Sequence, residues 1–294
     1  MANLRAIRTR IRSVENTRQI TKSMKMVAAS KLRKTQGSFS GQTAFSERCG
    51  EILSRLSDGE NALSHPLLQP RPECRTSCYV LMVGNRGLCG IYNQSLLRFC
   101  EKLMKQKDTQ PYLITCGRWG KDLIAAAGLH PAETVDISDT PTAEEALSLA
   151  EKLEGLYLEG TVDEVIFVYQ SYRSVLTQMP VSRRFLPMEN PEAGEEAGKT
   201  AEQVIFEPDR ESVLKTLLDL YIINTVHGIL LEARTGEHAA RTTAMSAAAD
   251  NTEELIEQLT LELNHARQAA ITTEISEIAG GAEALRKNAA GGRS

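Results

Sequence analysis

Few residues in this 294-residue sequence have the types and spacing that chemistry needs. Gly84-Asn-Arg-Gly87-Leu-Cys-Gly90 follows an apolar run and precedes a helical pattern. That position suits a phosphate cradle, because backbone N–H groups converge at a helix N-terminus. The spacing is neither G-x-G-x-x-G nor a Walker loop, and no Lys-Ser/Thr follows. A tight strand-to-helix turn that needs glycine is the competing reading. Cys74-x3-Cys78 offers a redox pair or half a metal site, without a second pair or a histidine cluster to complete it. Otherwise the six cysteines act as small buried hydrophobes. His65, His130, His227, His238 and His265 are scattered, so no nucleophile–base pair is visible. Glu237 and His238 fall on a helix surface, where solvation or capping is expected. Glu144-Glu145, Glu253-Glu254 and Glu257 read as solvated helix faces.

Charge supplies the remaining signal. Residues 1–36 carry ten basic side chains (Arg5, Arg8, Arg10, Arg12, Arg18, Lys22, Lys25, Lys31, Arg33, Lys34) against Glu15, while the whole chain has a net charge of −4. A chain this asymmetric offers its basic arm to something acidic, whether nucleic acid, anionic lipid or a protein surface. The arm lacks the interleaved aromatics of a single-strand binder and any DNA-reading motif. Its charges share a helix with an apolar stripe, so a solvated coiled-coil face and a docking face for an acidic partner both stand. An Arg-rich, acid-poor start also resembles a transit peptide, a reading that fails if residues 4–32 belong to the fold. The composition, 41% hydrophobic and 24% charged, is that of an ordinary globular chain and excludes disorder, collagen and disulfide frameworks. No apolar run approaches the ~18–20 residues of a bilayer span, so no integral membrane protein is expected.

Proline maps the elements that must position these residues. Residues 1–65 and 209–294 contain none, and all ten lie within 66–208. Proline breaks helices, so the ends are expected to be long helices and the middle a turn-rich domain. Leu4, Ile7, Ile11 and Val14, then Ile20, Met24 and Val27, form a stripe with a register shift near Arg18. Leu217, Leu220 and the 230–233 stretch open the C-terminal stripe, and Ile256, Leu259, Leu263, Ala266 and Ala270 continue it. Alanines 239, 240, 244, 247, 248 and 249 thin that seam. At ~1.5 Å per residue, a helix over 209–287 would be about 110–120 Å long and could not stand alone with its stripe in water. An antiparallel two-helix coiled coil closed by the chain's two ends satisfies both stripes. Between them, strands at 78–83, 111–116, 135–137 and 165–169 alternate with helices at 91–107, 120–127 and 142–158. That alternation predicts a Rossmann-like α/β domain with a mostly parallel sheet, with 178–188 as an edge strand or hairpin. The expected organisation is residues 1–60 as N-terminal helix, 75–190 as α/β domain, 191–208 as linker and 209–287 as C-terminal helix. Residues 286–294 are expected to fray.

Three stretches carry a resemblance. Ile20-Thr-Lys-Ser-Met-Lys-Met-Val-Ala-Ala-Ser-Lys-Leu-Arg-Lys34 resembles the N-terminal signature of the gamma subunit of rotary F-type ATP synthases. Arg86-Gly-Leu-Cys-Gly90, ending at Asn93, is similar to that family's glycine turn, with Gly87 and Gly90 as its structural glycines. Glu237-His-Ala-Ala-Arg-Thr-Thr-Ala-Met245 and residues 261–278 resemble its C-terminal signature. The resemblance implies a rotor shaft that couples proton-driven rotation of the c-ring to ATP synthesis or hydrolysis. It implies as partners an alternating hexameric ring of alpha and beta subunits, an epsilon subunit and the membrane c-ring. No nucleic acid, cofactor, metal or catalytic site of its own is implied. The site candidates carried over are stator-ring contacts: Met24, Lys25, Arg33 and Lys34 on the first helix, Arg267 and Gln268 on the last. Redox-regulated chloroplast relatives carry an inserted cysteine pair, but residues 185–208 here have no cysteine, so that regulation is not expected. A start two residues before the family motif implies a bacterial protein at the cytoplasmic face of the plasma membrane, peripheral and held through the complex. The competing readings are a nucleotide-binding α/β module with helical arms and a nucleic-acid-binding coiled coil.

Overall fold

The computed structural model describes residues 2–57, 66–119, 124–188 and 210–291. Its elements are α1 (Ala2–Ser57), β1 (Thr76–Met82), α2 (Tyr92–Gln106), β2 (Gln110–Cys116), β3 (Glu133–Val135), α3 (Ala143–Leu158), β4 (Glu164–Tyr172), β5 (Gln178–Leu186) and α4 (Arg210–Gly291). They divide into a terminal unit, Met1–Lys25 with Met245–Ser294, and a central unit, Met26–Ala244. The expected linker at 191–208 lies outside the described residues, as do residues 120–123 of the helix expected at 120–127, of which 124–126 are helical.

In the central unit the sheet order is β3-β2-β1-β4-β5. β1 pairs in parallel with β2 (Val80 opposite Ile114) and with β4 (Val80 opposite Phe167), and β3 pairs in parallel with β2. β5 closes the edge antiparallel to β4, as expected, with a bulge beside Val165 and Ile166. β1 and β4 read as unbroken apolar runs because both their faces are covered. Side chains alternate between faces with period two. Cys78, Val80, Met82, Val165 and Phe167 pack under α3 (Leu149, Leu153, Tyr157) and α4 (Ile222, Val226, Ile229, Leu230). Tyr79, Leu81, Val83, Ile166 and Val168 meet α2 through Tyr92, Leu96, Leu97 and Cys100. β3 lies two residues earlier than the 135–137 expected, because its pairing with Ile114–Cys116, and not its short apolar run, sets its place.

Thr142 caps α3 and Glu145 completes a capping box. Glu145 accepts from the backbone N–H groups of Ser138 at 2.7 Å and Thr142 at 2.9 Å. It is therefore half-buried and engaged, not the solvated residue expected, since the first turn's unpaired N–H groups attract a carboxylate. An 18-residue window of α4 is apolar enough, by length and composition, to cross a bilayer, and 44% of it is buried within the protein. The stretch is apolar because one long side of α4 serves the sheet core.

In the terminal unit α1 and α4 pair antiparallel: Lys25 Nζ donates to Ser246 Oγ at 2.9 Å, and Arg18 meets Glu253 at 3.2 Å. The central unit pairs them in the same sense, Gln42 Nε2 donating to the Asn224 carbonyl at 3.2 Å. The less exposed positions of α1 run Leu4, Ile7, Ile11, Val14, Arg18, Thr21, Lys25, Ala28, Leu32 and Thr35, an unbroken three-four repeat. The expected shift at Arg18 does not occur. Ile20 and Val27, assigned to the stripe from sequence, are 60% and 55% exposed. Apolarity misled there because the seam changes to threonine, whose hydroxyl bonds back to its own helix (Thr21 Oγ1 to the Arg18 carbonyl, 2.9 Å) and so tolerates burial. On α4, Leu259 is buried and Ile256, Leu263, Ala266 and Ala270 are half-buried, as expected, whereas Ala247 is exposed.

Leu153 is fully buried and Leu158, five residues on, is 54% exposed. Leu153→Ala is expected to lower unfolding stability by about 2–5 kcal/mol, and Leu158→Ala by less than about 0.5 kcal/mol, in urea titrations of the full chain.

Candidate functional site

The glycine turn between β1 and α2 contains an anion, and it belongs to this chain. Gly84 N–H donates to Asn93 Oδ1 at 2.8 Å, and Asn85 N–H donates to Glu237 Oε1 at 3.2 Å. A Cβ at Gly84 would lie 3.0 Å from the Glu237 carboxyl, so the bare backbone is what lets the carboxylate in. Gly87 is needed for another contact: a Cβ there would lie 3.0–3.4 Å from the Trp119 ring. Gly90 has φ 61°, and Leu88 shares that left-handed value without being glycine. Leu88 thus holds a conformation that L-residues disfavour by roughly 1–2 kcal/mol. The turn thus runs tightly from β1 into α2, with the Asn85 N–H engaged by Glu237.

Glu237 is 1% exposed, which overturns its expected place on a helix surface. Arg234 Nη1 donates to its Oε2 and Arg241 Nη2 to its Oε1, each at 2.7 Å. The arginines lie at i−3 and i+4 on α4, so one helix face presents the carboxylate between two cations. Their remaining donors reach the α/β loops. Arg234 donates to the carbonyls of Val83 (3.1 Å) and Ile137 (3.0 Å) and to Asn85 Oδ1 (3.0 Å). Arg241 donates to the carbonyls of Arg86 (2.9 Å) and Gly87 (3.3 Å). Burial alone would raise the Glu237 pKa, but the two guanidinium charges outweigh it and hold the carboxyl below its ordinary value.

His238, also expected at the surface, is 1% exposed. Its Nε2 lies 3.1 Å from the Asp139 carbonyl, which can only accept, so Nε2 carries the proton. Its Nδ1 is buried without a partner. Burial pushes the imidazole pKa down, only partly offset by the Asp139 carbonyl. Asp139 is itself held well below the ordinary carboxylate range: burial opposes ionisation, but hydrogen bonds from Lys31 and Asn85 prevail. The network thus joins α1, the β1–α2 turn, the β3–α3 loop and α4 within the central unit. Sequence reasoning missed Arg234, Asp139 and Asn85. Arg234-x-x-Glu237-x-x-x-Arg241, one face of an alanine-rich helix, was the available signal.

The candidates carried over from the family do not gather at this network. Met24 and Lys25 are half-buried in the terminal unit, where Lys25 is engaged with Ser246; Arg267 and Gln268 are exposed on α4 in that same unit. Arg33 and Lys34 are exposed on α1 in the central unit. Cys74 is exposed and Cys78 buried, both as free thiols, and burial pushes the Cys78 pKa up to about 12. Among the described residues no group of three or more His, Cys, Asp or Glu could hold a metal ion.

Residues 3–285 match the family model described as ATP synthase. The chain is 43% identical over 286 residues to the ATP synthase gamma chain of Desulfitobacterium hafniense, covering 97% of this chain and 100% of that one. It is 40% identical over 290 residues to the ATP synthase gamma chain of Moorella thermoacetica, with the same coverage. In fold it resembles a chain of the Euglena gracilis mitochondrial ATP synthase (OSCP/F1/c-ring, rotational state 3). That match has a TM-score of 0.69 and 20% identity, and covers 100% of this chain and 97% of that one. A chain of the central stalk and c-ring of the Tetrahymena thermophila mitochondrial enzyme matches at TM-score 0.59 and 21% identity, over 78% of this chain and 99% of that one.

Glu237→Gln leaves two buried guanidinium groups without their counter-charge and is expected to destabilise the chain by about 3–5 kcal/mol at pH 7. The pH dependence follows from the depressed pKa of His238. Unfolded histidine takes up a proton below pH 6.5 and the folded one resists, so stability falls as pH drops below 6.5, by up to about 1.4 kcal/mol per pH unit. His238→Gln, whose amide can still donate to the Asp139 carbonyl, is expected to flatten thermal-unfolding midpoints between pH 5 and 7. The carboxylates add a second decline nearer pH 4, which that variant retains.

Proposed function

The chain belongs to the gamma-chain family of the rotary F-type ATP synthases, and from that premise we propose how it works. It is a non-catalytic subunit, the central rotor shaft that couples rotation of the c-ring to catalysis in a membrane-associated complex. We infer that its partners are an alternating ring of alpha and beta subunits, an epsilon subunit and the c-ring. The proposed location is the cytoplasmic face of a bacterial plasma membrane, in keeping with the bacterial sources of the similar gamma chains.

One observation carries the shaft reading. From Ile271 to Ala282 no residue of α4 is buried, and Ile271, Ile275 and Ile278 repeat at helical spacing with 45%, 61% and 67% exposure. An apolar stripe of that kind asks for a surrounding surface. A sleeve formed by the ring of stator subunits provides one, and a stripe of aliphatic side chains without directional hydrogen bonds lets a shaft turn in it. Upstream, exposed charges and amides supply the contacts that can differ with angle.

A shaft biases three otherwise equivalent catalytic sites only through contacts whose free energy changes as it turns. Arg267 and Gln268 are exposed on α4 and Arg33 and Lys34 on α1, free of the helix seam and able to reach a stator loop. Met24 and Lys25 are proposed as part of the same contact, with Lys25 already positioned by Ser246.

The test replaces Arg267 and Gln268 together with alanine in the assembled synthase. ATP synthesis is expected to fall about five-fold or more, the range of ordinary coupling free energies, with assembly retained. Unchanged synthesis, hydrolysis and assembly would reject the assignment.

A further inference from the structure

Asp139, in the connection between β3 and α3, holds both terminal helices of the central unit at once. Its carboxylate accepts from the Lys31 ammonium on α1. Its main-chain carbonyl accepts from His238 Nε2 on α4 at 3.1 Å. Asn85 Nδ2 donates to its second carboxylate oxygen at 3.0 Å, and Asn85 is held in turn by Arg234. The side chains of Lys31 and Asp139 are 33% and 25% exposed, so the pair sits at the rim of the buried network, partly screened but geometrically fixed.

α1 needs such a tie more than α4 does. α4 sinks Leu218, Ile222, Val226 and Ile229 into the sheet core. Among the described residues, the buried ones of α1 in this unit are Ala28, Leu32, Thr35 and Cys49, and Leu32 is the large one of these. Contacts between small apolar side chains resist separation but specify rotation weakly, whereas a charge-assisted hydrogen bond has a definite direction. Gln42, which donates to the Asn224 carbonyl at 3.2 Å, ties α1 to α4 and not to the α/β domain, so Asp139 supplies a directional hold on α1 from the domain side.

We infer that Asp139 is the positioning residue that makes both helices turn with the α/β domain, its carboxylate fixing α1 through Lys31 and its carbonyl fixing α4 through His238. The inference rests on the rotor reading and deepens it. Asp139 needs no contact with nucleotide or with any partner subunit; it acts through the two helices.

The test uses the complete synthase carrying this chain, reconstituted in proton-tight vesicles, with ATP hydrolysis and ATP-driven proton uptake read on one preparation. Asp139→Asn keeps the main-chain carbonyl and an acceptor for Asn85 but removes the charge facing Lys31. Protons pumped per ATP hydrolysed are expected to fall about five-fold or more while hydrolysis persists. The exchanged pair K31D/D139K, and the cross-linkable pair K31C/D139C after oxidation, are expected to recover most of the pumping. Wild-type pumping in D139N, or failure of both pairs to recover it, overturns the inference. So does a D139N enzyme that assembles poorly yet pumps normally per assembled complex, since the residue would then serve folding alone. The rotor reading is challenged separately: complexes without this chain that still pump like wild type would sink it whatever Asp139 does.

Discussion

The Glu237 carboxylate, buried between Arg234 and Arg241, is the interaction on which the central unit depends. Desolvating three charges is expensive, and the arrangement is tolerable only where nearly every donor and acceptor finds a partner. That requirement reaches outward. Gly84 must lack a side chain, Asn85 must present its amide to Arg234, and the carbonyls of Val83, Arg86, Gly87 and Ile137 must all turn toward α4. The loops at one end of the sheet are therefore shaped by one helix face, and α4 has a single seat on the α/β domain. Arginine suits the role because its planar fork serves the carboxylate and several carbonyls together.

The same turn shows why a glycine-rich strand-to-helix connection need not bind nucleotide. The backbone N–H that could greet a phosphate oxygen at Asn85 is taken by Glu237, and that of Gly84 by Asn93. An acidic side chain from a distant helix has settled where the turn favours negative charge. The turn thereby becomes a fastening between domain and helix, consistent with a chain whose family places the chemistry elsewhere.

The paired helices follow a different logic. Their seam is built mostly from alanine, threonine and a few aliphatic residues; Arg18 and Lys25 lie in it, while Arg5, Arg8, Arg10, Arg12, Lys22, Arg33 and Lys34 are left outside. Threonine is admissible at Thr21 and Thr35 because each hydroxyl is satisfied within its own helix. Apolar side chains that leave the seam, Ile20 and Val27 on α1 and Ile271, Ile275 and Ile278 on α4, remain at the surface. The structure thus separates the side chains that hold the two helices together from those available to whatever surrounds them.

Local regularities were legible in the sequence by itself. The distribution of proline located the long helices, apolar runs located β1 and β4, and the order of strands and helices implied a mostly parallel sheet with an added edge strand or hairpin. Such features depend on residues a few positions apart, so a single chain displays them. Tertiary structure decided the rest. Glu237 and His238 looked solvent-facing because their neighbours on the helix are small and polar. Their partners from outside the helix are Asn85 for Glu237, 152 positions away along the chain, and Asp139 for His238. The continuous seam through Arg18, Thr21 and Lys25 was hidden for the same reason, since only the opposite helix shows which polar side chains it can accept. Spacing records which face a residue lies on. Whether that face meets water, an apolar core or an opposite charge is settled by segments far away in sequence, because burial and ion pairing are properties of what lies across the contact.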